Sequence, residues 1–116
     1  MTVFIDEPPE REISHQMCEV RGWCTVPPFG SGRLRFQIGG TPVLFTSIRR
    51  PDVEAAYPRE KTYGFVIQLD LSYYMLAIRD SALEIEALVG DADRTTVRFR
   101  VSPAALRTCM AAASGV

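Results

Sequence analysis

The strongest constraint on this chain is a two-residue period. Leu34, Phe36 and Ile38 alternate with Arg33, Arg35 and Gln37, and Phe65, Ile67 and Leu69 alternate with Val66, Gln68 and Asp70. Leu83, Ile85 and Ala87 alternate with Glu84 and Glu86, and Val97, Phe99 and Val101 alternate with Thr96, Arg98 and Arg100. Successive side chains of a strand point to opposite faces, so each run reads as a strand with one buried and one wet face. A helix would scatter the same residues around its circumference. Thr2 to Asp6, Met17 to Val26 and Val43 to Ile48 add three weaker strand candidates.

Turn residues punctuate these runs. Pro8-Pro9, the stretch Pro27 to Gly32, Gly39-Gly40 and Gly90 to Asp93 separate successive strands. Paired glycines at 39 and 40 permit positive φ at both central positions of a tight hairpin. A second hairpin at Gly90 sets Glu84 and Glu86 against Arg98 and Arg100 on a wet face. One segment breaks the rhythm. Pro51 to Tyr57 reads as a short helical turn, because proline suits the first turn and Pro58 stops continuation. The fold expected is all-β, an immunoglobulin-like antiparallel β-sandwich of about seven strands with one short helical turn. Its core is Val20, Leu34, Phe36, Ile38, Phe45, Phe65, Ile67, Leu69, Ile85, Val97, Phe99 and Val101. Residues 1–102 form the sandwich. Ser102 and Pro103 have the chemistry to open a helix, but residues 103–116 read as an alanine-rich tail or linker with few anchoring side chains.

Composition excludes several functions. A chain of 116 residues fits one domain. Lys+Arg is 13 and Asp+Glu is 14, a net charge of −1, which argues against a nucleic-acid binder. No basic segment followed by an apolar stretch opens the chain, and no apolar run is long enough to insert in a membrane. Cys18 and Cys24 lie on one strand, about 20 Å apart, too far for a disulfide. Reduced thiols and a cytoplasmic location follow as the expectation. With His15 as the one histidine, neither a metal nor a cofactor is implied. Ser14 and His15 are adjacent, so on extended chain they point apart and form no nucleophile–base pair. The carboxylate pairs Asp6/Glu7 and Glu84/Glu86 sit among basic neighbours and read as solvated charge.

Ligand recognition centres on Trp23, the single tryptophan. By alternation it shares a polar face with Arg21, and Arg35 is a further candidate contact. Gly22 before it is a candidate bulge that would flip the register. Two placements fit Trp23: packing beneath the Pro51–Tyr57 turn, or an exposed platform for a sugar ring.

Val20-Arg21-Gly22-Trp23-Cys24, Leu34 to Gly40, Arg49-Arg50-Pro51-Asp52-Val53 with Tyr57-Pro58, and Tyr63-Gly64-Phe65 with Leu69-Asp70 follow one another in order. This run resembles the small β-sandwich accessory domain fused to bacterial glycosyltransferases and methyltransferases of surface-polysaccharide biosynthesis. The stretch Leu71 to Leu83 departs from it, with Tyr73-Tyr74-Met75 in place of a glycine-histidine hairpin. The resemblance implies a non-catalytic module that positions an attached catalytic domain, or contacts a partner protein or glycan. Gly22, Arg49, Asp52, Tyr57, Gly64 and Phe65 then form a structural motif. Asp52 is expected to cap the short helix, and Arg49 or Arg50 to pair with an acidic side chain or loop carbonyl nearby. The alternative is a free-standing carbohydrate- or small-ligand-binding domain.

Overall fold

The computed structural model describes residues 1–27, 32–91 and 93–113. Among them nine strands form: β1 (Thr2–Glu7), β2 (Glu12–Ile13), β3 (Met17–Val26), β4 (Leu34–Ile38), β5 (Thr41–Val43), β6 (Thr46–Ile48), β7 (Lys61–Asp70), β8 (Ala82–Val89) and β9 (Asp93–Val101). Two helices, α1 (Pro51–Ala56) and α2 (Pro103–Ala113), and 3-10 helices at Pro9–Arg11 and Leu71–Ala77 complete the described chain. A four-stranded sheet in the order β1-β3-β7-β6 packs on a five-stranded sheet in the order β2-β9-β8-β4-β5. The fold is an all-β sandwich. Every pairing is antiparallel except β2 beside β9.

The count exceeds the expected seven for two reasons. Val43 to Ile48 is not one strand: Val43 ends β5 in one sheet, and Thr46 begins β6 in the other. The chain turns this corner at Leu44-Phe45, where Phe45 meets Phe36 edge-on at 5.1 Å. β2 is two residues long, too short to show a period.

The two inner faces make the core. All twelve expected core residues are there, Phe45 half-buried at the corner and the other eleven buried. Ile13, Leu71, Leu83, Ala105 and Cys109 join them. Gly39 and Gly40 close the β4–β5 hairpin at φ 56° and 82°, the left-handed pair that a two-residue turn of the I′ type requires. The Pro27–Gly32 turn lies mostly outside the described residues, as does Ala92 of the Gly90 hairpin. On the wet face of the five-stranded sheet Glu84 faces Arg98 in register, at 3.8 Å. Glu86 pairs instead with Arg94 at 3.4 Å, and Arg100 reaches across to Glu12 at 2.7 Å. The register differs by two residues from one that would set both glutamates against Arg98 and Arg100, and it places Thr96 opposite Glu86.

The tail corrects the sequence reading. Residues 103–113 are a helix docked on the 3-10 helix Leu71–Ala77, not a linker. The Ser102 hydroxyl accepts from the Ala105 amide at 3.1 Å, with Pro103 at the first helical position, as a capped start demands. Ala105 and Cys109, one turn apart, form a flat stripe that lets the helix approach closely, so alanine here packs rather than frays. Beneath it, Asp70 holds the 3-10 helix by accepting from the Ser72 amide at 3.0 Å and hydroxyl at 2.7 Å. Gln16 donates to the same carboxylate at 3.1 Å.

The docked helix has a direct test. All three thiols are free, Cys24 and Cys109 being buried and Cys18 half-buried. Burial also pushes the Cys24 thiol up to about 12, so it ionises poorly. Alkylation of the native protein with iodoacetamide, followed by mass mapping, is expected to label Cys18 and spare Cys24 and Cys109 until denaturant is added. Labelling of Cys109 at the rate of an unfolded peptide would mean that α2 is not docked.

Candidate functional site

Asp52, Tyr57 and Gly64 meet Trp23 and Arg50 at the outer face of the four-stranded sheet, above the inward-facing Gly22 and the core residue Phe65, while Arg49 stays outside the cluster. A Cβ at Gly22 would lie 2.2 Å from the Phe4 carbonyl oxygen and 2.9 Å from Phe65 Cζ. Glycine therefore lets β1 and the buried Phe65 ring close on β3 at one point. The register confirms a bulge here, but in β1: Ile5 pairs with Gly22 and Glu7 with Arg21, leaving Asp6 extra. β3 itself runs unbroken, all ten of its residues pairing with β7, so the expected flip at Gly22 does not occur. Val20, Gly22, Cys24 and Val26 face inward, while Arg21 and Trp23 face outward.

Trp23 is half-buried on that outer face. Its cross-strand partner Phe4 stacks on it, with ring centroids 4.0 Å apart and planes 17° apart. Tyr57, at the end of α1, meets it at 5.4 Å and 46°. On the other side its partner in register is Gly64. A Cβ on Gly64 would lie 2.4 Å from the Ile48 carbonyl oxygen and 2.8 Å from Arg50 Cγ. The absent side chain thus makes room for the β6 backbone and the aliphatic stem of Arg50. Of the two placements, Trp23 takes the packed one, against α1.

Arg50 closes the arrangement. Its Nη1 donates to Asp6 Oδ2 at 2.8 Å, its Nε to Asp52 Oδ1 at 3.2 Å, and its Nη2 to Asp52 Oδ2 at 3.1 Å. The last two form a parallel fork. Asp52 does not cap α1, whose N-cap is Arg50 with no side-chain cap bond. Pro51 takes the first helical position, so Asp52 comes two residues past the cap and its carboxylate turns back to Arg50. The guanidinium holds Asp52 below the usual carboxylate range, and the two carboxylates, Asp52 first, hold Arg50 above its own. A depressed carboxylate lends its pairing fully above the unfolded value and loses it as pH falls through the folded one. Arg49 stands outside this cluster, exposed and 3.4 Å from Glu54.

The three ligand candidates are not brought together. Arg21 lies beside Trp23 but is engaged by Glu19, whose other oxygen accepts from Gln68 at 2.9 Å. These bonds, Arg21 first, hold Glu19 below its ordinary range. Arg35 faces outward from β4 on the opposite sheet and donates to the Gly90 carbonyl at 3.0 Å. Ser14 and His15 are both exposed on the bend before β3. Among the described residues no group of three His, Cys, Asp or Glu side chains is placed to hold a metal ion. Sequence reasoning missed Phe4 and Asp6. Phe4 lies on the wet side of its own alternation, and Asp6 looks like solvated charge until the bulge re-aims it.

No protein-family model, curated protein or solved structure matches this chain.

Gly64 is the sharpest test of this geometry. Gly64→Ala is expected to lower stability by about 1–3 kcal/mol through overpacking, read by urea denaturation. Trp23 emission should shift to longer wavelength as α1 lifts. An unchanged midpoint and spectrum would show that the close approach at Gly64 is not required.

Proposed function

We propose that this chain is a non-catalytic accessory module of a polysaccharide-biosynthesis protein of the glycosyltransferase type, positioning an attached catalytic domain or a partner protein. The carrying observation is that the motif side chains engage one another. Phe4 covers one side of Trp23 and Tyr57 packs against it, and two carboxylates fill the fork of Arg50. Gly22 and Gly64 serve close backbone approach. Residues arranged this way build a stiff corner between sheet and helix, which suits a module whose task is to hold something else in place.

The polysaccharide context rests on the order of the Gly22-Trp23, Arg49 to Pro58 and Gly64 to Asp70 segments, the immunoglobulin-like affinity on the number and spacing of the strands, and the cytoplasmic setting on the reading of the cysteines as reduced thiols. Among the described residues no helix is long and apolar enough to cross a membrane. In this reading any transferase activity belongs to the attached domain.

One observation favours the alternative of a carbohydrate- or small-ligand-binding domain: Tyr57 stays 37% exposed beside Trp23. Titration with soluble oligosaccharides, followed by Trp23 emission, separates the two. The accessory reading expects no saturable change at Trp23, because Phe4 stacks on one face of the ring and Tyr57 packs against it. A saturable quench that Trp23→Phe abolishes in a calorimetric titration would favour the alternative.

A further inference from the structure

The opposite sheet carries a groove that shares no residue with the Trp23 corner. Glu84 and Glu86 on β8 and Arg98 on β9 point outward there, since Leu83, Ile85, Val97 and Phe99 fill the core. The 3-10 helix Leu71–Ala77 lines the groove alongside them, and the space between is open and about 900 Å³. That volume lies at the upper end of ligand clefts, enough for several sugar rings. Gly39 lines the same groove, and the neighbouring Gly40 would meet nothing with an added Cβ, so the hairpin end stays clear.

Tyr73 is the feature that folding does not explain. Its side chain is 82% exposed while Leu71, two residues earlier, is fully buried. Leaving an aromatic ring in water forgoes the burial that most tyrosines obtain. The turn that presents it is held by the double bond of Ser72 to Asp70 and by α2 packed behind it. The ring is therefore held out on an anchored element, as a binding platform requires.

Its surroundings supply hydrogen bonds in both senses. The Arg79 guanidinium has no ion-pair or hydrogen-bond partner among the described residues. Glu84 and Arg98 stand 3.8 Å apart, too far for a hydrogen bond, so both keep free capacity. Asp80 sits at φ 52° in the left-handed turn that follows Arg79. Donors and acceptors thus flank one exposed aromatic face. A sugar ring uses such a set: its C–H face covers the aromatic ring while its hydroxyls both donate and accept. Arg94 neutralises Glu86, so Asp80 and Glu84 stand against Arg79 and Arg98 and the groove carries no net charge, which suits an uncharged sugar over an acidic one.

We propose that this groove binds a neutral oligosaccharide, with a sugar ring stacked on Tyr73 and its hydroxyls held by Glu84, Arg79 and Arg98. The inference goes beyond the accessory reading and gives the module a glycan contact on the face away from α1. Cello-, malto- and manno-oligosaccharides, with oligogalacturonate as the acidic control, are the probes for isothermal titration and amide NMR. At least one neutral oligomer is expected to bind with Kd on the order of 1 mM. Shifts should concentrate at residues 72–80 and 84–86, with Trp23 emission unchanged. Tyr73→Ala is expected to weaken binding at least about fivefold, and Tyr73→Phe to retain it. The melting temperature of Tyr73→Ala should match the parent, as the ring is exposed. No binding by any neutral oligomer, tighter binding of oligogalacturonate, or affinity untouched by Tyr73→Ala would each overturn the groove while leaving the accessory reading intact. Binding that quenches Trp23 and survives Tyr73→Ala would overturn both.

Discussion

Arg50 stands where three pieces of chain meet. Its stem lies over Gly64 on β7, one nitrogen holds Asp6 on β1, and the remaining fork holds Asp52 on α1. Among the described residues the Arg50–Asp6 bond is the polar tie between the start of the short helix and β1. α1 is six residues long, too short to hold its shape by its own hydrogen bonds. It persists because Val53 is buried and because Arg50 and Tyr57 fasten its two ends. An exposed ion pair contributes roughly 0–1 kcal/mol, and with Asp6 46% and Asp52 66% exposed the Arg50 pairs belong to that range.

The rest of the corner follows from making this contact possible. Arg50 can reach Asp6 only because a bulge turns Asp6 out of the β1 ladder. The bulge falls opposite Gly22, where the missing side chain lets β1 close in. Gly64 leaves the channel that the arginine stem occupies, and Trp23 beside it is covered by Phe4 and Tyr57. The two glycines, the tryptophan and the arginine are one device seen from different strands. At the C-terminal end of β7, six residues beyond Gly64, Asp70 performs a parallel task for the 3-10 helix that presents Tyr73.

The sandwich was legible in the sequence because its inner faces are strictly periodic: eleven of the twelve expected core residues are buried, and Phe45 is half-buried at the corner. What escaped was whatever depends on register or on pieces too short to repeat. β2 and the split at Leu44-Phe45 carry no period. The bulge belongs to β1 and not to the glycine that signals it, because the glycine marks the closeness of two strands and not the strand that bends. Asp52 reads as a cap from its neighbourhood, yet it sits two positions past the cap, which hands its carboxylate to Arg50. The alanines of α2 suggested a loose tail because small side chains are a weak burial signal; Ala105 and Cys109 are buried all the same. Arg35 was grouped with Trp23 by composition, and only sheet order shows that they face opposite ways.

The central claim is energetic coupling through Arg50 between the β1 bulge and the rest of the corner. A double-mutant cycle on Asp6→Asn and Arg50→Gln, measured by urea denaturation at neutral pH and low salt, tests it most directly. The account predicts a coupling of at least about 0.5 kcal/mol that fades as salt is added. Additivity within about 0.3 kcal/mol would mean that the bridge contributes nothing, and that α1 is held by Val53 and Tyr57 alone.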